Sequence, residues 1–186
     1  MDICRRRNRE TRMITLRPAA RTDIPLLKAW DKEAHVQFSD PKGSDGSGWE
    51  WDAQIGAGWE GFWEFMAELD GQPIGFVQVI DPQIEQSQYW GPMEAGFRAL
   101  DIWIGPADML GKGYGSQMMS LALSFCFSDP EVHTLLIDPL INNTDAHRFY
   151  QRCGFSPVGV RDFDGDLCLV HELKRAQWAE KEATYA

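Results

Sequence analysis

At 186 residues the chain is long enough for one domain with a substantial buried core. Its formal net charge of −10 argues against a nucleic-acid surface and suits a cationic small-molecule partner. The longest weakly charged run, Tyr114–Ser128, is too short and too polar to span a bilayer, so no membrane role is expected. Residues 1–12, with Arg5-Arg6-Arg7-Asn8-Arg9, read as a disordered basic extension, and residues 13–186 as a single domain. Met13–Arg17 is a short strand, and a helix capped by Thr22 runs through Trp30 to about Ala34. Asp40–Gly48 is a Gly/Ser/Asp loop, followed by a short helix over Trp49–Gly58. Phe62–Leu69 and Pro73–Ile80 are strands joined by Asp70-Gly71, a strong hairpin signal. Asp81–Gly91 is a second loop, and Glu94–Ile104 is a strand. A helix over Tyr114–Phe127, a strand over His133–Asp138 and a helix over Asn143–Cys153 follow. Strands near Phe155–Arg161 and Leu167–Leu173 close an α/β chain.

The most informative segment is Leu110-Gly111-Lys112-Gly113-Tyr114-Gly115-Ser116, between the apolar strand Leu100–Ile104 and the helix opening at Tyr114. Strand, glycine loop and helix N-terminus together present backbone N–H groups to an anion, above all a phosphate or pyrophosphate. A P-loop would need Ser or Thr after Lys112, where Gly113 stands. A dinucleotide fingerprint would need a glycine at Met118. Downstream, Asn143-Thr144-Asp145-Ala146-His147-Arg148-Phe149-Tyr150-Gln151-Arg152-Cys153-Gly154-Phe155 reads as a helix with Asn143 as N-cap and Gly154 as C-cap. Ala146 and Tyr150 share one of its faces. The cysteines (Cys4, Cys126, Cys153, Cys168) show no Cys-x-x-Cys spacing and no secretory leader precedes them, which implies a reduced, cytoplasmic protein. His35, His133, His147 and His171 form no helical ligand pair, so no metal is expected.

The glycine loop and the capped helix together resemble the coenzyme A-dependent N-acetyltransferases of the GCN5-related (GNAT) superfamily. In that group the loop reads Arg/Gln-x-x-Gly-x-Gly/Ala and the helix Asn-x-x-Ala-x-x-x-Tyr-x-x-x-Gly-Phe. Here Gly113 and Gly115 match, with Leu110 at the opening position. Within the superfamily, Asp101 ahead of Leu110-Gly111-Lys112-Gly113, then Asp129-Pro130-Glu131-Val132, Asp138-Pro139 and Phe163-Asp164-Gly165, resemble aminoglycoside 6′-N-acetyltransferases. The resemblance implies a mixed central sheet of about seven strands flanked by about four helices. It also implies acetyl-CoA as co-substrate, bound by Ile102, Trp103, Ile104, Leu110, Gly111, Lys112, Gly113, Tyr114, Gly115, Ser116 and Asn143. The acceptor would be a primary amine on an aminoglycoside or similar polycation, and the protein a monomer or homodimer. A lysine or hydroxylysine acyltransferase of siderophore pathways is a second reading, and a non-catalytic acyl-CoA-binding module a third. The loops at 40–60 and 81–93 match poorly and would shape the acceptor pocket.

The carboxylates carry the chemistry. Asp101 lies in an apolar strand where aspartate is depleted, so it needs a backbone partner or a task. Asp138 sits at a strand end, where it either begins a turn or lines the site. By resemblance both line the acceptor pocket, with Asp101 as proposed general base, and Asp164, in an Asp-Gly turn, joins them. Tyr150 is either a packed helix residue or the acid that protonates the departing thiolate, for which its hydroxyl is suited. Cys153 has no base motif beside it, so direct transfer is expected in place of an acyl-enzyme. Trp63 and Phe65 read as core, while Trp49 and Trp51 are open between core and a stacking lid.

Overall fold

Apolar side chains recurring at strand spacing draw the chain into one seven-stranded sheet, described here from a computed structural model covering residues 13–40 and 49–185. The basic extension 1–12 and nearly all of the Asp40–Gly48 loop lie outside the described residues. The strands are β1 (Ile14–Pro18), β2 (Phe62–Leu69), β3 (Gln72–Ile80), β4 (Phe97–Ile104), β5 (Thr134–Ile137), β6 (Ser156–Phe163) and β7 (Asp166–Lys174). They lie in the order β1-β2-β3-β4-β5-β7-β6, antiparallel throughout except for β4 against β5. Both hairpins turn on Asp-Gly pairs with positive φ at each residue: 53° and 75° at Asp70-Gly71, 53° and 94° at Asp164-Gly165. This geometry matches the right-handed twist of the flanking strands.

Among the described residues there are six α-helices: α1 (Ile24–Trp30), α2 (Ala34–Ser39), α3 (Trp51–Gln54), α4 (Tyr114–Ser128), α5 (Thr144–Cys153) and α6 (Arg175–Tyr185). Three departures from the sequence expectation have physical causes. Thr22 does not cap α1. Asp23 organises the entry instead, accepting from the Ala20 N–H at 2.8 Å while Arg17 clamps its carboxylate at 2.7 and 2.8 Å. The expected single helix ends at Trp30, and a separate α2 starts at Ala34. α6 was not anticipated, because its exposed, charge-rich sequence shows no apolar stripe. It is anchored from outside: Arg175 donates to the carbonyls of Val132 (2.7 Å), Phe127 (2.9 Å) and Asp129, and Trp178 stacks on Phe127.

Three apolar clusters hold the elements together. The first joins Val77, Val79, Leu100 and Ile104 to Met118, Ala122 and Cys126 of α4 and to Tyr150 and Cys153 of α5. The second lies under α1 and α3, where Leu27, Trp51 and Ile55 pack on Met66 and Phe76. The third gathers Trp90, Ala99, Leu136, Phe163 and Val170 at the other end of the sheet. Parallel pairing of β4 with β5 covers only Phe97↔Thr134 to Ala99↔Leu136, so the two strands part just beyond Ala99. Continuing that register, Leu100 falls opposite Ile137, and Asp101 opposite Asp138 one step further on.

Candidate active site

Side chains of β4 alternate, and the alternation decides where Asp101 points. Leu100 and Ile104 enter the first cluster, Ala99 the third, and Trp103 packs on the second. Asp101 therefore occupies the gap between two apolar clusters on one face, beside the buried Gln78 of β3. Removal from water and the nearby negative charges of Asp138 and Asp40 push its carboxyl up to about 8. Asp138, just past β5, is raised less, to about 6. Burial raises it, while the Tyr89 hydroxyl, donating to Oδ2 at 2.6 Å, and the charge of Arg161 favour its ionised form. Two carboxyls thus share one opening in the sheet with separated proton affinities, an arrangement suited to binding a cation and accepting a proton.

Tyr150 approaches from the α5 side. It is 8% exposed. Burial and the charges of Asp101 and Asp138 raise its proton affinity, so the phenol stays protonated. Behind it, His147 and His171 stack at 5.2 Å between ring centroids, and the His171 ring meets Tyr150 edge-on at 6.2 Å. Burial holds His171 below the usual histidine range, so its ring is uncharged near neutrality.

The glycine loop lies between β4 and α4. Gly113 is the N-terminal cap of α4 with φ 85° and ψ 0°, and Gly111 also has positive φ (70°). A Cβ at either glycine would meet no described atom within 4 Å, so both face open space. The first N–H groups of α4, from Tyr114, Gly115 and Ser116, have no intrahelical acceptor and carry the positive end of the helix dipole. Lys112 is exposed, with its ammonium 3.9 Å from Met109 Sδ. This loop fits a pyrophosphate. Because nothing crowds Gly113, Gly113→Ala carries the left-handed backbone penalty alone, about 1 kcal/mol or slightly more. The expected result is a melting temperature lower by about 3 °C and weaker acetyl-CoA binding, read by differential scanning and isothermal calorimetry.

The other expected residues are placed as follows. Ile102 packs against the first cluster, and the Ile104 carbonyl accepts from His35 Nε2 of α2 at 2.8 Å. Trp103 joins an aromatic group with Trp49, Trp51 and Phe76, its buried Nε1 lacking an acceptor among the described residues. Trp49 stacks on Trp51 at 5.0 Å, and Trp51 is fully buried with its Nε1 donating to Asp31 at 2.6 Å. Asn143 caps α5 by accepting from the Ala146 N–H (3.1 Å) and donates to Ser39 Oγ (3.3 Å). Leu110 is exposed at the start of the loop. Asp164 sits on the exposed β6–β7 turn next to Phe163. Tyr89, His35 and Arg161 were missed by sequence reasoning. Nothing local marks them, and the one available pointer was the aromatic pair Tyr89-Trp90 inside an otherwise polar loop.

Comparison with known proteins places the chain by family and fold. Residues 19–163 match the family model described as an acetyltransferase (GNAT) domain. The chain is 31% identical over 114 residues to the aminoglycoside N(6′)-acetyltransferase type 1 of Klebsiella pneumoniae, a match covering 60% of this chain and 57% of that protein. It is 32% identical over 95 residues to a kanamycin resistance protein of Rhizobium radiobacter, covering 50% of this chain and 88% of that one. The chain thus spans little more than half the length of the first relative. The crystal structure of aminoglycoside acetyltransferase AAC(6′)-Ib in complex with coenzyme A and kanamycin superposes with a TM-score of 0.79 at 25% identity, over 91% of this chain and 99% of that one.

Proposed function

Since the chain belongs to the acetyltransferase (GNAT) family, we propose that it moves the acetyl group of acetyl-CoA to a primary amine of an aminoglycoside or comparably polycationic molecule. Transfer is direct, within a ternary complex. The observation that carries the reading is the meeting of Asp101 and Asp138 at the parting of β4 and β5, beside the open glycine loop. Pyrophosphate rests on the amides of Gly111, Gly113, Gly115 and Ser116, with Lys112 as a point charge. The pantetheine arm runs along the β4 edge at Ile102, Trp103 and Ile104, and Asn143 has a second amide hydrogen to offer it.

The acceptor arrives as an ammonium with a proton affinity near 10 and must lose a proton before it attacks. An ordinary aspartate, near 4, is a poor acceptor for that proton. Asp101, raised to about 8 by burial and its acidic neighbours, is far better matched. Asp138 supplies negative charge that holds the amine in place, and Asp164 extends this attraction at the rim. Asp101 takes the ammonium proton, directly or through water, the freed lone pair attacks the thioester carbonyl, and the adduct's second N–H proton leaves to solvent as the C–S bond breaks. Tyr150 donates its proton to the leaving sulfur and regains one from solvent. Cysteine takes no part: burial holds the Cys153 thiol above its usual range, which leaves it un-ionised.

The test is thiol release from acetyl-CoA with an aminoglycoside bearing a 6′-amine, run beside one bearing a 6′-hydroxyl. Turnover with the amine alone is expected. Silence with both, while acetyl-CoA still binds, overturns the acceptor assignment and turns attention to lysine derivatives and polyamines.

A further inference from the structure

We infer that Tyr89 is the positioning residue that fixes the acceptor-binding carboxylate Asp138, and thereby selects which amine reaches Asp101; this rests on the reading of the site given above. Tyr89 is anchored at both ends. Its hydroxyl donates to Asp138 Oδ2 at 2.6 Å, and its ring lies flat on Phe163 at 4.4 Å with an interplanar angle of 8°. Its backbone N–H donates to Glu85 Oε1 at 2.7 Å, and Glu85 is itself buried. Phe163 is held from the other side by the Arg161 guanidinium, 4.7 Å above its ring, and Arg161 donates to the Trp90 carbonyl at 3.0 Å. The loop after β3 is thus clamped across the sheet to the β6–β7 hairpin, with Asp138 at the joint.

The position of Tyr89 gives it leverage over substrate. The phenol's hydrogen bond to Oδ2 fixes the rotation of the Asp138 carboxylate, so its remaining lone pairs meet an ammonium in fixed directions. The groups that face Asp138 are Asp101 from β4, Tyr150 from α5, Arg161 from β6 and Tyr89 itself. Two of them, Tyr89 and Arg161, favour its ionised form, and Tyr89 is the one in direct contact. With 45% of its surface exposed, Tyr89 also offers part of its ring to the acceptor. A polycation whose reacting amine and second ammonium fit this directed carboxylate is accepted, and one that does not is poorly bound.

The experiment uses Tyr89→Phe, which keeps the ring stack and removes only the hydroxyl. The KM for the acceptor amine rises about tenfold, kcat changes much less, and the KM for acetyl-CoA stays where it was. In the pH profile of kcat/KM the lower ionisation of the Asp101/Asp138 pair moves to higher pH, because the phenol no longer favours the charged form. The second readout is independent of turnover: the Asp138 carboxyl carbon is followed by NMR titration in the full-length protein, and its midpoint rises in Tyr89→Phe. An unchanged acceptor KM together with an unchanged Asp138 titration overturns the inference. If no amine is turned over by the native protein, the acceptor reading fails and the titration alone decides the role of Tyr89.

Discussion

Asp101→Asn lowers kcat/KM for the acceptor amine by about a thousandfold while leaving acetyl-CoA affinity unchanged, within the range expected for losing a general base. Asparagine has the same shape and a similar hydrogen-bonding reach, so the loss isolates the proton acceptor from the packing. The same substitution stabilises the fold, and the sign follows from the raised proton affinity. The carboxyl sits near 3.8 in the unfolded chain and about 8 in the folded one. Between those values the folded state holds a proton that the unfolded state has lost, so stability falls as pH rises through that window. At pH 8 the cost is largely present, and at pH 4 it is absent. Asp101→Asn therefore melts with the native protein at pH 4 and a few degrees above it at pH 8. A melting temperature unchanged at both pH values, or turnover equal to the native protein, would remove Asp101 from the role of base.

Tyr150→Phe is the second large effect: kcat falls about a hundredfold, and the melting temperature barely moves. The stability half follows from the phenyl ring keeping its packing against the core, since the substitution removes only the hydroxyl. The kinetic half follows from burial and the two neighbouring carboxylates, which keep the phenol protonated through the working pH range. The deficit is accordingly flat with pH, unlike that of Asp101→Asn. It also shrinks when the acyl donor is an aryl thioester, whose thiolate leaves without needing a proton. An equal deficit with both donors would show that Tyr150 packs the site and does not act as acid.

Much of this site was readable residue by residue. The glycine loop, the Asn143 cap, the Gly154 stop and both Asp-Gly hairpins are local devices, set by backbone sterics and short-range hydrogen bonds. Asp101 stood out because an acid inside an apolar strand is costly without a purpose. The misreadings are equally specific. Thr22 looked like the better cap, and the cap was displaced by an ion pair between Asp23 and Arg17 that depends on β1 lying alongside. α6 was invisible because its stability comes from Arg175 reaching carbonyls elsewhere in the chain, with little from its own pattern. Trp51, open between core and lid in the sequence, lies in the core, where α3 presses it onto Phe76 and Asp31 accepts from its indole N–H.

By itself, then, the sequence determined the chemistry on offer: a glycine loop of the kind that can hold an anion, an acid misplaced in a strand, a tyrosine on a capped helix, and an acidic balance suited to cations. Each of these is written into contiguous residues through periodicity, capping and charge. Only the tertiary structure decided which groups meet. Asp138 reaches Asp101 because β4 and β5 run parallel and then part, and Tyr89 reaches Asp138 because the loop after β3 folds across to Phe163. The proton affinities belong to that level too, since burial and the distance between charges exist only once the strands are ordered.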